Sequence, residues 1–167
     1  MSDERPDVTR VINAKDTRFG WYLEEYQPGD LFKHWPGKTI TEADDHQFCL
    51  LTMSASPLHT DAEYAKNHMP DGLNIVIGTY IYALVAGMSV PDISGRAIAN
   101  LGVKELKHVA PVYHGDTLYA ETLVLSTRNS KSRPDAGILT VETRGVKADG
   151  TLVCQFERSV MLPRKPQ

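Results

Sequence analysis

The sequence predicts an α+β domain in which an antiparallel sheet wraps around one long central helix. Three observations point there. The chain has 167 residues, enough for one sizeable core and short for two ordinary domains. Its most apolar stretch, residues 73–88, carries apolar side chains on nearly all helical faces, as a buried helix does. The chain beyond it alternates apolar and polar residues in separate runs, the period of a half-buried strand. One sheet around one helix accommodates both with a single core.

The elements follow in order. Residues 1–17 and 165–167 read as tails around one domain at 18–164. Gln27-Pro28-Gly29-Asp30 and Trp35-Pro36-Gly37-Lys38 are turn signals, and the segment Leu31 to His34 between them is a short strand. A helix begins near Thr41. Thr41 followed three residues later by Asp44 resembles a capping box with Asp in place of Glu, and Glu42 adds negative charge to the first turn. Phe48 and Leu51 share a face. Pro57 disfavours helical geometry at Ser56, so the helix ends between Ser54 and Pro57. Residues 60–68 read as a second short helix, with Asp61 and Glu63 near its start, and Pro70-Asp71-Gly72 breaks the chain. Within the apolar run, Gly78 marks either a close backbone approach or the helix start itself. Strand-like alternation covers Leu118 to Val124, Leu139 to Thr143 and Leu152 to Leu162, about four antiparallel strands in all. Asp149-Gly150 is the two-residue signal of a type I′ hairpin. His114-Gly115-Asp116 reads as a turn in which Asp116 bonds its own backbone.

Composition narrows the function. Apolar residues make up 41% and charged residues 23%, the profile of a globular protein, and a net charge of −3 with scattered Lys and Arg gives no nucleic-acid surface. Cys49 and Cys154 form no metal-ligand or redox pattern and read as packed thiols of a reducing compartment. The polar start of the chain lacks the apolar core of a secretory signal, and no stretch reaches the ~18 apolar residues of a membrane span. The cytoplasm is the expected location.

No dinucleotide fingerprint, phosphate loop, HExxH or nucleophile elbow is present. The neighbours Asp44, Asp45 and His46 point in different directions on a helix, so no metal is expected there. One constellation remains: a helix ending in a small polar loop, Met53-Ser54-Ala55-Ser56-Pro57-Leu58-His59, just before another helix. Rigid elements flanking a loop hold catalytic groups well, and His59 is a proton-exchanging side chain in that position. Taken alone, a loop histidine is also an ordinary surface or hydrogen-bonding residue. His34, His46, His68, His108 and His114 have no stronger case.

Thr39, Thr41, Asp44, Phe48, Pro57, His59, Asp61, Tyr64 and Ala65 together resemble the hydratase motif of the MaoC-like dehydratases, which include the (R)-specific enoyl-CoA hydratases. Ala99-Asn100-Leu101-Gly102, Ala110-Pro111-Val112, Gly115-Asp116-Thr117, Ser130-Lys131-Ser132-Arg133-Pro134 and Thr143-Arg144-Gly145 resemble the mesaconyl-CoA hydratase and methylmalyl-CoA dehydratase branch. The resemblance covers about nine-tenths of the chain. It implies a hot-dog fold, a homodimer or higher homo-oligomer, and reversible hydration of an enoyl-CoA, a small branched or dicarboxylic one such as mesaconyl-CoA. Coenzyme A enters as part of the substrate, with no separate cofactor. The family places a water between an Asp and a His, and a glycine N–H at the start of the long helix receives the thioester oxygen. The matching positions are Ser54, His59 and Gly78.

The chain departs from that pattern at Ser54 in place of the Asp, Ser56 in place of an Asn beside the substrate, and Ile77 in place of the His before the glycine. Losing a general base costs about 10²–10⁴ in rate. His59 would then act as base and acid in turn, with Ser54 only holding the water; the mesaconyl-CoA branch that the chain resembles also tends to lack the Asp at this position. Arg133, with Lys131 and Ser132, is the candidate contact for CoA phosphates or a substrate carboxylate, since its planar fork suits either anion; the same loop also reads as plain solvated surface. Two alternatives stand. Ser54 and Ile77 suit a non-catalytic acyl-CoA-binding protein or inactive partner subunit. A thioesterase would want a carboxylate on or near the central helix, and residues 73–88 contain none.

Overall fold

A computed structural model describes residues 5–16 and 19–166. The chain runs β1 (Arg10–Asn13), β2 (Asp30–Lys33), β3 (Lys38–Thr39), α1 (Glu42–Leu51), α2 (Pro57–Thr60), α3 (Ala62–His68), α4 (Gly78–Met88), β4 (Ala99–His108), β5 (Thr117–Asn129), β6 (Ala136–Lys147) and β7 (Leu152–Pro163). The strands form one seven-stranded sheet ordered β1-β2-β5-β6-β7-β4, with β3 beside β5 off that path. Every pairing is antiparallel except β1 with β2. This is the expected hot-dog arrangement, a sheet curled around α4. Part of the stretch read as an N-terminal tail forms β1, where Arg10 pairs with the buried carboxylate of Asp30 at 2.5 Å; residues 1–4 and 17 of that stretch, and 167 of the other tail, lie outside the described residues.

Packing explains the central helix. Ile81 and Val85, one turn apart on α4, are buried with Ile40, Val112, Leu118, Val153 and Phe156. Burying an aliphatic side chain of that size contributes about 1.5–3 kcal/mol. Gly145 on β6 makes the approach possible: a Cβ there would stand 2.5 Å from Cγ2 of Val85. The opposite face of α4, with Thr79, Ala83 and Gly87, is exposed.

The helix is shorter than the apolar run. Residues 73–77 are extended, with Ile75 bridged to Tyr113 and the Val76 N–H bonded to the Val112 carbonyl at 2.8 Å. The β-branched series Ile75, Val76 and Ile77 favours that conformation. Gly78 is the first residue of α4.

Two further features differ from expectation. The turn between β6 and β7 is not type I′. Only Gly150 has positive φ (88°), and Lys147 and Thr151 close a three-residue loop, the type I turn with a left-handed glycine. The Asp149 carboxylate caps it by accepting the Thr151 N–H at 2.9 Å. The other is β4. Every residue of this edge strand is exposed, Leu101, Val103 and Leu106 included, so it carries no inside–outside alternation for a sequence pattern to reveal. The turn at Asp116 is as expected, its carboxylate accepting the Tyr113 N–H at 2.8 Å.

Candidate active site

Four short elements hold His59. The Thr41–Asp44 capping box starts α1, with reciprocal bonds of 3.2 and 2.8 Å. Met53, at φ 57°, turns the chain out of α1, and the Ser54 N–H returns to the Cys49 carbonyl at 2.9 Å. Pro57 opens α2 at a first-turn position where no N–H is needed. Asp61 caps α3 by accepting the Tyr64 N–H at 2.9 Å. Asn74 ties these pieces to the extended segment before α4, donating to the Leu58 carbonyl at 2.9 Å and the Asp61 carbonyl at 3.2 Å.

His59 itself is oriented by one bond: its Nδ1 lies 2.8 Å from the Ile75 carbonyl. A carbonyl only accepts, so Nδ1 carries the proton and Nε2 presents its lone pair. His59, Ile75, Gly78, Ile81 and His108 line one cavity of about 430 Å³, closed further by 109–112. Gly78, as the first residue of α4, has no intrahelical acceptor for its N–H, and the helix dipole adds positive potential there. A protonatable ring and an oriented amide donor thus share one cavity, the two parts needed to bind a thioester and stabilise its enolate.

The start of α4 has a cap the sequence did not disclose. Asp45, fully buried on α1, accepts the Ile77 N–H at 3.0 Å with Oδ1, while its Oδ2 lies 3.0 Å from Nε2 of His114. Ile77 has no side chain able to cap the helix, and Asp45 supplies the missing acceptor from another element. His108 was also unexpected. It lies against Gly78 so closely that a Cβ on the glycine would stand 2.9 Å from its Cε1 and Nε2. Gly78 is therefore both alternatives at once, the helix start and a close approach.

The remaining candidates lie elsewhere in this chain. Ser54 and Ser56 are on the loop before His59 but not in the cavity wall, and Ser56 makes no side-chain cap on α2. Lys131 and Ser132 line a separate cavity of about 450 Å³ with Arg128 and Ser130. Arg133 is engaged by Asp135 at 3.2 and 2.6 Å, and this pairing raises its pKa. That loop is at the far end of the sheet. His108 is in register with Cys154, whereas Gly137, at the loop's edge, is in register with Leu162. Eight residues of strand span roughly 26 Å.

The sequence model of the mesaconyl-CoA hydratase family matches residues 3–167. The chain belongs to that family. It is 32% identical over 151 residues to a mesaconyl-CoA hydratase of Cereibacter sphaeroides, covering 89% of this chain and 43% of that protein. The chain thus spans less than half the length of such curated relatives. Among solved structures, a MaoC domain protein dehydratase from Chloroflexus aurantiacus superposes with a TM-score of 0.83 at 31% identity, over 90% of this chain and 42% of that one. A MaoC-like dehydratase from Rhodospirillum rubrum gives 0.78 at 29% identity, over 89% and 100%. Membership places this chain among MaoC-like dehydratases of hot-dog fold.

Proposed function

We propose that this protein adds water reversibly across the double bond of an enoyl-CoA, or dehydrates the corresponding 3-hydroxyacyl-CoA. The acyl group is small and branched or dicarboxylic, as in mesaconyl-CoA. The observation that carries this reading is the shared cavity of His59 and Gly78, with Nδ1 of His59 fixed on the Ile75 carbonyl. The Gly78 N–H takes the thioester oxygen as it gains charge, and Nε2 of His59 handles the water proton. Family membership and the mesaconyl-CoA hydratase of Cereibacter sphaeroides supply the substrate class.

The functional unit is a homodimer or higher homo-oligomer in the cytoplasm. The open edge of β4 and the exposed Thr79–Ala83–Gly87 face of α4 are the surfaces a second copy would cover. Antiparallel pairing of two β4 edges would bring the Arg133 loop of one copy toward the His59 cavity of the other. In that arrangement Arg133, Lys131 and Ser132 serve CoA bound across the dimer.

The test is a panel of crotonyl-, mesaconyl- and itaconyl-CoA, following loss of the conjugated enoyl absorbance with wild type and His59→Ala. Hydration abolished by the substitution supports the reading; hydration that persists unchanged disposes of it. Ser54 favours one second reading, an acyl-CoA-binding protein without turnover, which would show ligand-induced thermal stabilisation and no hydration of any thioester. A thioesterase is disfavoured: α4 carries no carboxylate, and Asp45, which reaches its start from α1, is fully buried and bonded to the Ile77 N–H and His114.

A further inference from the structure

With Ser54 in place of a carboxylate, His59 is the one proton-transfer group so far assigned to the proposed reaction. Syn or anti, hydration of an enoyl thioester needs two transfers. Water gives a proton to a base as its oxygen bonds to C3, the C2=C3 π pair moves through the enolate to C2, and an acid supplies the proton that C2 takes up. Ser54 is not in the cavity wall and, as a neutral hydroxyl, makes a poor base. His59 is in the wall, but its Nδ1 proton is held by the Ile75 carbonyl, leaving a single nitrogen for exchange.

The cavity holds a second imidazole. His108, the last residue of β4, lines it together with His59 and Gly78, and its Cε1 and Nε2 are the atoms that stand 2.9 Å from the position of a Cβ on Gly78. No hydrogen bond engages either ring nitrogen of His108 among the described residues, in contrast to His34, His59, His68 and His114, whose rings are each tied to a carbonyl or a side chain. An imidazole free of hydrogen bonds thus lies against the residue proposed to receive the thioester oxygen, within the cavity proposed to take the acyl group. Glycine at position 78 lets the ring lie there without a shift.

We propose that His108 is the second acid–base group of this site: His59 as neutral base takes the proton of water, and protonated His108 delivers the proton to C2, with the roles exchanged in dehydration. This rests on the hydratase reading above. Atoms balance with one water consumed: hydroxide goes to C3, a proton to C2, and the proton His59 has gained returns to His108 through water before the next turnover. The other groups around His108 do not compete. Helix α4 presents only Gly78 and Ile81 to the cavity, and 109–112 carry no titratable side chain. Cys154, in register on β7, has its thiol pushed up to about 11 by burial and stays protonated. Asp45 is bonded to the Ile77 N–H and His114 and is absent from the cavity wall. Lys107 beside it on β4 pairs with Glu105 at 3.1 Å.

The experiment is the pH–rate profile of mesaconyl-CoA and crotonyl-CoA hydration by the full chain, for wild type, His108→Gln, His59→Gln and His68→Gln as an exposed control. The acid must be protonated and the base neutral, so wild type gives a bell. His108→Gln should lower kcat about 10²–10³-fold with KM changed less than threefold, and should remove the alkaline limb. His59→Gln should abolish hydration, as His59→Ala does, and His68→Gln should match wild type. Circular dichroism and thermal melting confirm that His108→Gln is folded; if it is not, His108→Asn and rescue of either variant by added imidazole carry the same test. Full activity of the His108 variant, or a bell that survives with both limbs, overturns the role of His108 and leaves the hydratase reading intact. Absence of any hydration by wild type takes down both.

Discussion

The carboxylate of Asp45 and the imidazole of His114, separated by 69 residues of chain, meet at 3.0 Å behind the first turn of the central helix. The other Asp45 oxygen holds the Ile77 N–H, so one fully buried side chain joins α1, the β4–β5 turn and the start of α4. Everything the candidate site needs from Gly78 depends on where that first turn lies.

Replacing Asp45 with Ala should therefore destabilise the fold by about 1–3 kcal/mol, the usual cost of leaving a buried donor without its acceptor. Asn keeps an acceptor for the Ile77 N–H and should cost less. Urea unfolding measures both. Equal stability of Asp45→Ala and wild type would mean that the carboxylate does not hold the helix start.

Gly78→Ala tests the contact with His108. A methyl group placed 2.9 Å from the ring forces a shift that overpacking data price at about 1–3 kcal/mol, less where an exposed side chain rotates away. In a double-mutant cycle, Gly78→Ala should cost less in stability when His108 is already Ala, with an interaction of at least about 0.5 kcal/mol. Hydration activity should not recover in the double variant, because the ring is then absent.

These two contacts also mark where sequence reading stops. The Thr41–Asp44 capping box and the alternation along β5 and β7 are local, with cause and effect within a few residues, and were legible; β6 is buried on both faces over most of its length. Asp45 reads only as one acid among neighbours, because its partners lie 32 and 69 residues away. His108 was invisible for a different reason. It ends a strand exposed on both faces, so neither periodicity nor burial singled it out. Gly78 carried the one available signal, a glycine interrupting an apolar run, and the sequence left open which of two causes applied; both do.

Acid should reveal the pairing of Asp44. The Lys38 ammonium, at 2.6 Å, together with the bonds from Thr41, lowers its pKa from 3.8 to about 2. A depressed carboxylate contributes stability that is fully present above about pH 4 and is lost as pH falls toward 2. The side chains of Lys38 and Asp44 are 41% and 29% exposed, so solvent screening limits the effect to about 1 kcal/mol. Lys38→Met should move the Asp44 carboxyl titration, followed by NMR, upward and flatten the loss of stability in that window. An unchanged midpoint would assign the shift to the helix cap alone.

Not every histidine here serves chemistry, and His34 separates stability from activity. Its buried ring bridges Asp92, 2.7 Å from Nδ1, and Thr122, 2.8 Å from Nε2, and Thr122 continues to Thr143 at 3.0 Å. The chain of groups crosses β2, β5 and β6 beside the second core cluster of Phe32, Val124 and Val141, and none of its members lines the His59 cavity. His34→Ala removes both bonds and leaves a void, which should cost about 2–4 kcal/mol and lower the melting temperature by roughly 5–15 °C. Below that temperature, kcat per folded molecule should stay within twofold of wild type, since neither His59, Gly78 nor His108 touches the network. A large fall in kcat without a fall in stability would instead place His34 in the reaction.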